Sequence, residues 1–261
     1  MEDTLVAQVS DISAINSKPF SRPNLQKRSL LVEMVGPAAA GKTTLIWELH
    51  KQSDSICSEI PLTMSGKVLF YTRNTLPWLA IYLQRYRHSR WFSTSEIRSM
   101  VYLDAWFQAL RRPQAQNEQF IILDHGPLFR LAFLREFGPE ISKYQKYELW
   151  WNKMLEKWSG ILDTIVWLDA PDEVLFERIQ TRRQDHVVKG KTAEEVYRFL
   201  ARYRKVFEEI ITRIAVDYHL TILQLDTTND SPERLARELL TEFDEVANYC
   251  DLGRRRTLGG A

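Results

Sequence analysis

The chain has 261 residues, 44% of them apolar and 26% charged, enough to bury one sizeable α/β core with helical insertions and too few for more than two small domains. A formal net charge of +1 excludes a global field that would draw it to nucleic acid or membrane, so any preference for anions must come from local arginine clusters. The two cysteines, Cys57 and Cys250, have no metal-ligand spacing, no run of 18 apolar residues offers a membrane span, and the first twenty residues carry Glu2, Asp3 and Asp11 without an apolar leader, so a soluble cytoplasmic protein is expected.

Residues 1–28 are polar, contain Pro19 and Pro23 and show no sustained period, which reads as a loosely held arm. Leu30 to Val35 then reads as a mostly buried strand; Glu33 is its odd residue, ascribed to a polar strand edge and given no role. The nine residues Gly36-Pro37-Ala38-Ala39-Ala40-Gly41-Lys42-Thr43-Thr44 fit the pattern GxxxxGK[ST], and Thr44 to Leu49 continue as a helix with an apolar face. A chance glycine turn could join strand and helix too, but the motif sits where a phosphate cradle has to sit. Gly36 and Gly41 let the backbone turn tightly, the N–H groups from Ala38 to Thr44 point inward, and the helix starting near Lys42 adds the positive end of its dipole. Lys42 would reach the β- and γ-phosphates of ATP, and the Thr43 hydroxyl would take one position on Mg²⁺.

Ile56 to Ile60 is a short strand stopped by Pro61; Glu59, leaving it, either accepts a proton from an attacking hydroxyl or is a solvated surface carboxylate. A cationic region from Arg73 through Arg85, Arg87, His88 and Arg90 is interleaved with Tyr71, Trp78, Tyr82, Tyr86, Trp91 and Phe92. It fits a planar base or a single-stranded nucleic acid, and equally the packed face of an amphipathic helix. Residues 94–111 read as a helix with Ser93, Thr94 or Ser95 as cap. Phe120 to Asp124 is an apolar strand ending in a carboxylate, which would stand opposite Thr43 and hold Mg²⁺ directly or through water; a polar strand end or helix cap is the plainer alternative. Arg130, six residues on, is a candidate for the acceptor side.

A tryptophan-bearing helix over 142–159 leads to a strand over 164–169, and helices follow over 172–183 and 193–218. Arg178 and Arg182 are four apart, hence on one helical face, with Arg183 beside them. They suit the charge that phosphoryl transfer spreads over equatorial oxygens, or else a solvated helix paired through Glu177 and Asp185. Val187 to Thr192 is a hinge candidate, so a lid is placed at about 178–192. A strand over 221–225 and a last helix after Pro232 complete the domain at about residue 245, leaving 246–261 as a tail. Five strands separated by helices predict an α/β fold with a parallel sheet covered on both faces, and ligands at the carboxyl ends of its strands.

In order, these features resemble the P-loop nucleoside and nucleotide kinases, particularly the thymidylate kinase and deoxynucleoside kinase group. The resemblance spans about 29–243 and is carried by GPAAAGKTT, ILDHG, VWLDAPDEVLFERIQTRR, LARYRKVFEEI and LDTTNDSPERLARELL. It implies a three-layer P-loop NTPase fold with a five-stranded parallel sheet and a lid segment, ATP and Mg²⁺, and transfer of the γ-phosphoryl group to a nucleoside or nucleotide. By the same resemblance Lys42 and Thr43 serve the donor, Asp124 stands at the acidic position of the third strand, Arg178 and Arg182 are lid arginines, and Glu59 is the acidic residue after the second strand. Two departures fall on the acceptor side. His125 and Gly126 follow Asp124 where that group has an arginine, so the phosphate-clamping charge is either missing or moved to Arg130 or Arg73, and the lid has Arg182 and Arg183 adjacent. His125 and Arg183 therefore join Arg73 and Arg130 as substrate-side candidates. A kinase or ATPase acting on RNA or DNA ends and a non-catalytic ATP-binding switch are the alternatives; a homodimer is compatible with the chain, and no guanine-reading NKxD sequence follows the later strands.

Overall fold

The protein is described here by a computed structural model, which covers residues 29–58, 60, 64–110, 119–218 and 220–258. Five strands, β1 (Leu30–Val35), β2 (Ile56–Cys57), β3 (Phe120–Asp124), β4 (Thr164–Asp169) and β5 (Thr221–Asp226), form one parallel sheet in the order β2-β3-β1-β4-β5. Around it lie α1 (Lys42–Gln52), α2 (Met64–Ile81), α3 (Thr94–Leu110), α4 (Pro127–Phe137), α5 (Gln145–Ser159), α6 (Asp172–Thr181), α7 (Ala193–Asp217) and α8 (Pro232–Leu258). This is the three-layer P-loop NTPase type of α/β fold.

The central strands read as mostly apolar runs because each has two covered faces, Glu33 of β1 being the exception. On one face Leu31, Val35, Ile121, Leu123, Ile165 and Trp167 pack with side chains of α3, α4, α5 and α7. On the other, Leu30, Val32, Met34, Ile122, Val166 and Leu168 pack with α1, α6 and α8. Connections pass in front of the carboxyl ends of β1, β3 and β4, which brings the loop after each to one edge.

Several boundaries differ from the sequence reading. The second strand is only Ile56–Cys57, and Glu59 lies outside the described residues. Residues Met64–Ile81 form a helix with Pro77 inside it, continued by a π-turn over Tyr82–Tyr86. Pro127–Phe137 is also helical: Pro127 is its first residue, where a missing N–H costs nothing, so the proline starts the helix instead of a turn. Helix α6 stops at Thr181, leaving Arg182 beyond its end in an extended conformation. Helix α8 runs through Leu258, past the expected boundary at 245. The start of α7 carries a full capping box, Glu195 N–H on Thr192 Oγ1 and Thr192 N–H on Glu195 Oε2.

Candidate active site

The loop between β1 and α1 has the backbone that the motif demands. Gly36, Ala39 and Gly41 all have positive φ, at 140°, 64° and 88°. A Cβ at Gly36 would stand 2.0 Å from the Leu168 carbonyl oxygen, so only glycine fits against β4 there. Lys42 turns back over the loop and donates from Nζ to the carbonyls of Gly36 (2.9 Å) and Pro37 (2.8 Å). Burial pushes its ammonium down to about 8; Asp124 and Asp169 oppose that shift and Arg182 adds to it.

Register pairs Met34 of β1 with Asp124 of β3, which sets the strand-end carboxylate beside the loop. Thr43 Oγ1 donates to Asp124 Oδ2 at 2.8 Å. The other oxygen, Oδ1, is buried and accepts no hydrogen bond, although His125 Nδ1 approaches to 3.2 Å. A hydroxyl and a carboxylate with an unsatisfied oxygen form the hard donor set that Mg²⁺ takes when phosphates supply further ligands, so Thr43 and Asp124 fit that ion.

Glu33, which the sequence placed at a strand edge, is fully buried in the central strand. Its Oε2 accepts the N–H of Leu128 and its Oε1 that of Phe129, each at 2.9 Å. The carboxylate thus caps α4, whose own cap position, Gly126, has no side chain and whose first residue is Pro127. Burial raises its carboxyl to about 8, against the lowering by both N–H groups and Arg130. The capped turn holds His125 at φ 52°, a left-handed conformation for a non-glycine residue. From there the imidazole meets the Phe129 ring edge-on at 4.4 Å, inside the cleft. Burial lowers its pKa, Asp124 opposes this, and Lys42, Arg130 and Arg182 lower it further, so the ring is neutral at pH 7.

The two arginines of α6 have different surroundings. Arg178 donates to Thr227 Oγ1 (2.9 Å) and to its carbonyl (2.7 Å), fastening α6 to the turn after β5. Arg182, past the helix end, reaches Gln184 Oε1 at 2.6 Å, and its field lowers the pKa of Lys42, His125 and His186. Arg183 is exposed and does not line the cleft. The segment carrying Arg182 is tied down by Lys189 Nζ on the Arg182 carbonyl and Gln180 Oε1 on the Gly190 N–H.

These groups surround a cleft of about 710 Å³ bounded by Gly36, Ala38, Ala39 and Gly41 to Thr44, with Arg178, Arg182 and His186 opposite. Ala40 is buried beneath the loop. One wall is aromatic: Phe129 stacks with Tyr203 at 6.2 Å, Tyr203 meets Phe199 at 5.2 Å, and Phe199 meets His186 at 5.5 Å. The sequence reading missed these rings, which lie at core-like spacing on α4 and α7. Arg73, by contrast, is drawn to the α2–α3 contact, where its Nε lies 3.4 Å from Asp104 Oδ2. The aromatic residues around it serve packing: Trp78 meets Tyr147, Tyr82 meets Trp91, Tyr86 meets Tyr144, and Arg90 forms a two-pronged pair with Glu96. Arg130 also lies outside the cleft lining, on the α3 side of α4.

No protein-family profile and no curated protein matches the chain. Among solved structures it is similar to deoxyadenosine kinase from M. mycoides with bound dATP (17% identity, 81% of this chain and 100% of that one, TM-score 0.47). The same enzyme with dCMP and a flexible dCDP gives 16%, 83%, 100% and 0.49, and with dCTP 17%, 82%, 100% and 0.48. Likenesses of this degree lend no weight to any reading of the site, which stands on this chain's own residues. No helix among the described residues is long and apolar enough to cross a membrane.

Proposed function

We propose that the chain is an ATP- and Mg²⁺-dependent phosphotransferase that carries the γ-phosphoryl group to a small-molecule acceptor, a nucleoside or nucleotide being the leading class, in a cytoplasmic setting. The observation that carries this reading is the convergence on one cleft of the glycine-bounded loop, Lys42, the Thr43–Asp124 hydrogen bond and Arg182. The nucleoside class rests on the ordered motifs from GPAAAGKTT to LDTTNDSPERLARELL.

In this reading the backbone N–H groups from Ala38 to Thr44 cradle the donor phosphates, and Lys42 exchanges its carbonyl partners for β- and γ-phosphate oxygens. Thr43 and Asp124 hold Mg²⁺, which when bound neutralises charge on those phosphates. Arg182 offsets the charge that develops as the phosphoryl group moves, while Arg178 fixes the turn at Thr227. An acceptor hydroxyl gives its proton to Glu59 or Asp124; an acceptor phosphate needs no base. Glu59→Gln tests the first of these roles, since an unchanged rate with the true acceptor excludes Glu59 as base.

The test is ATP consumption with Mg²⁺ against nucleosides, nucleoside monophosphates, sugars and short oligonucleotides. Stimulation by one small acceptor, lost in Lys42→Ala, is the expected result. Lys42-dependent ATP binding with no stimulated turnover would favour the switch alternative, and stimulation by oligonucleotides alone the end-acting one.

A further inference from the structure

The α3 face of α4 carries a half-buried cation with no ion pair among the described residues. The Arg130 guanidinium lies over the rings of Tyr102 and Trp106, 4.6 Å from each centroid, and those two rings are themselves stacked at 4.9 Å and 11°. Its Nε is buried and has no hydrogen-bond partner. Its one recorded side-chain hydrogen bond runs from Nη1 to Ser99 Oγ at a long 3.5 Å. Glu33 is the one carboxylate whose field reaches it, and both Glu33 oxygens already serve the N–H groups of Leu128 and Phe129. Burial pushes its pKa down to about 10; Tyr102 and Glu33 oppose that shift, and Arg98 brings a second positive charge that adds to it. A planar fork of donors, largely desolvated, unpaired among the described residues and backed by another guanidinium, is the arrangement that a carboxylate or phosphate completes. Ring contacts recover part of the desolvation of such a cation but give its N–H groups no acceptor.

We infer that the surface where α3 and α4 meet holds an oxyanion site centred on Arg130, with Arg98 and Ser99 at its margin, and that the site takes a carboxylate or phosphate carried by the acceptor. Phe129, the preceding residue on α4, lines the cleft, and Arg130 stands about 100° further round the same helix, so an acceptor touches both only by following the surface of α4 from the cleft toward α3. The link to an acceptor rests on the phosphotransferase reading; the oxyanion site does not.

Two arms test the proposal on the full chain. In the first, the loop at Lys42 is saturated with a non-hydrolysable ATP analogue and Mg²⁺, and inorganic phosphate is titrated by calorimetry. Saturable binding that weakens about 10- to 100-fold in Arg130→Met and less in Arg130→Lys, with the affinity for the analogue unchanged, is expected. No binding in the unmodified protein, or equal binding in all three, overturns the site; Arg130→Lys keeps this arm decisive if methionine prevents folding. In the second, acceptors matched in their ring system, with and without a carboxylate or phosphate, are compared. A rise of KM in Arg130→Met confined to the anionic member assigns the anion to the acceptor, and phosphate binding without that split overturns the acceptor half of the proposal. If no acceptor is turned over at all, the phosphotransferase reading fails while the calorimetric arm still decides the site.

Discussion

Glu33 puts a carboxylate in the middle of the central strand, and its two oxygens take the N–H groups that the start of α4 leaves over. An apolar strand with one glutamate in it reads as a strand edge, because sequence gives no hint that a helix 95 positions away lacks its own cap. The recoverable signal is in Gly126-Pro127, a helix start that supplies neither a capping side chain nor a first N–H. Burial raises the carboxyl to about 8 from an ordinary 4.5. A group whose folded pKa is raised binds more protons in the native state, so its favourable contribution is complete below pH 4.5 and is lost as pH climbs to about 8. Urea unfolding at pH 6 and pH 8 should therefore show the unmodified protein losing stability, by up to about 2 kcal/mol, relative to Glu33→Gln. Parallel behaviour of the two proteins across that window would mean that the carboxylate is ionised throughout.

At the scale of elements, β3, the turn Asp124–Gly126 and α4 act as one part, because the cap that holds α4 also fixes where Asp124 and His125 point. A Cβ at Gly126 would lie 2.7 Å from the Glu33 carboxyl carbon and 2.9 Å from its Oε1. Gly126→Ala should thus displace the carboxylate, lower the unfolding free energy by about 1–3 kcal/mol and reduce ATP turnover. A shifted urea midpoint with unchanged turnover would separate the cap from the site. The inner strands β1, β3 and β4 were legible in sequence because two covered faces make them mostly apolar, and α7 because its apolar period is sustained over 25 residues. Helix α2 was not, since Pro77 and scattered aromatic residues hide its period; Trp78, Tyr82 and Tyr86 pack against neighbouring rings, while Arg73, Arg85 and Arg87 stay exposed. Arg182 was placed on α6, but the helix ends one residue earlier.

Across the whole molecule, the loop from Gly36 to Thr44 was legible because it is one contiguous segment, and the rest of the cleft was not because α4, residues 178–186 and α7 each lend it a few scattered side chains. Phe129 and Tyr203 meet only after folding, and each alone looks like a core residue. What keeps those distant parts in register is Arg204 of α7, which joins Asp169 at the end of β4 through Nε (2.8 Å) and Nη2 (2.9 Å), and reaches Asp172 and the Ala170 carbonyl. The Asp169 backbone carbonyl in turn accepts from Thr227, the residue that Arg178 holds. Lid, α7 and the two edge-side strands are therefore fastened at one point, next to the cleft. Arg204→Met leaves two carboxylates without their fork; since both are partly exposed, the cost is about 1–3 kcal/mol and not that of a fully buried pair. The loss should be local: hydrogen exchange should quicken across residues 182–192 and the start of α7, with β1 and β3 as protected as before. Uniformly faster exchange throughout the sheet would show that the clamp supports the fold as a whole and not the placement of the lid.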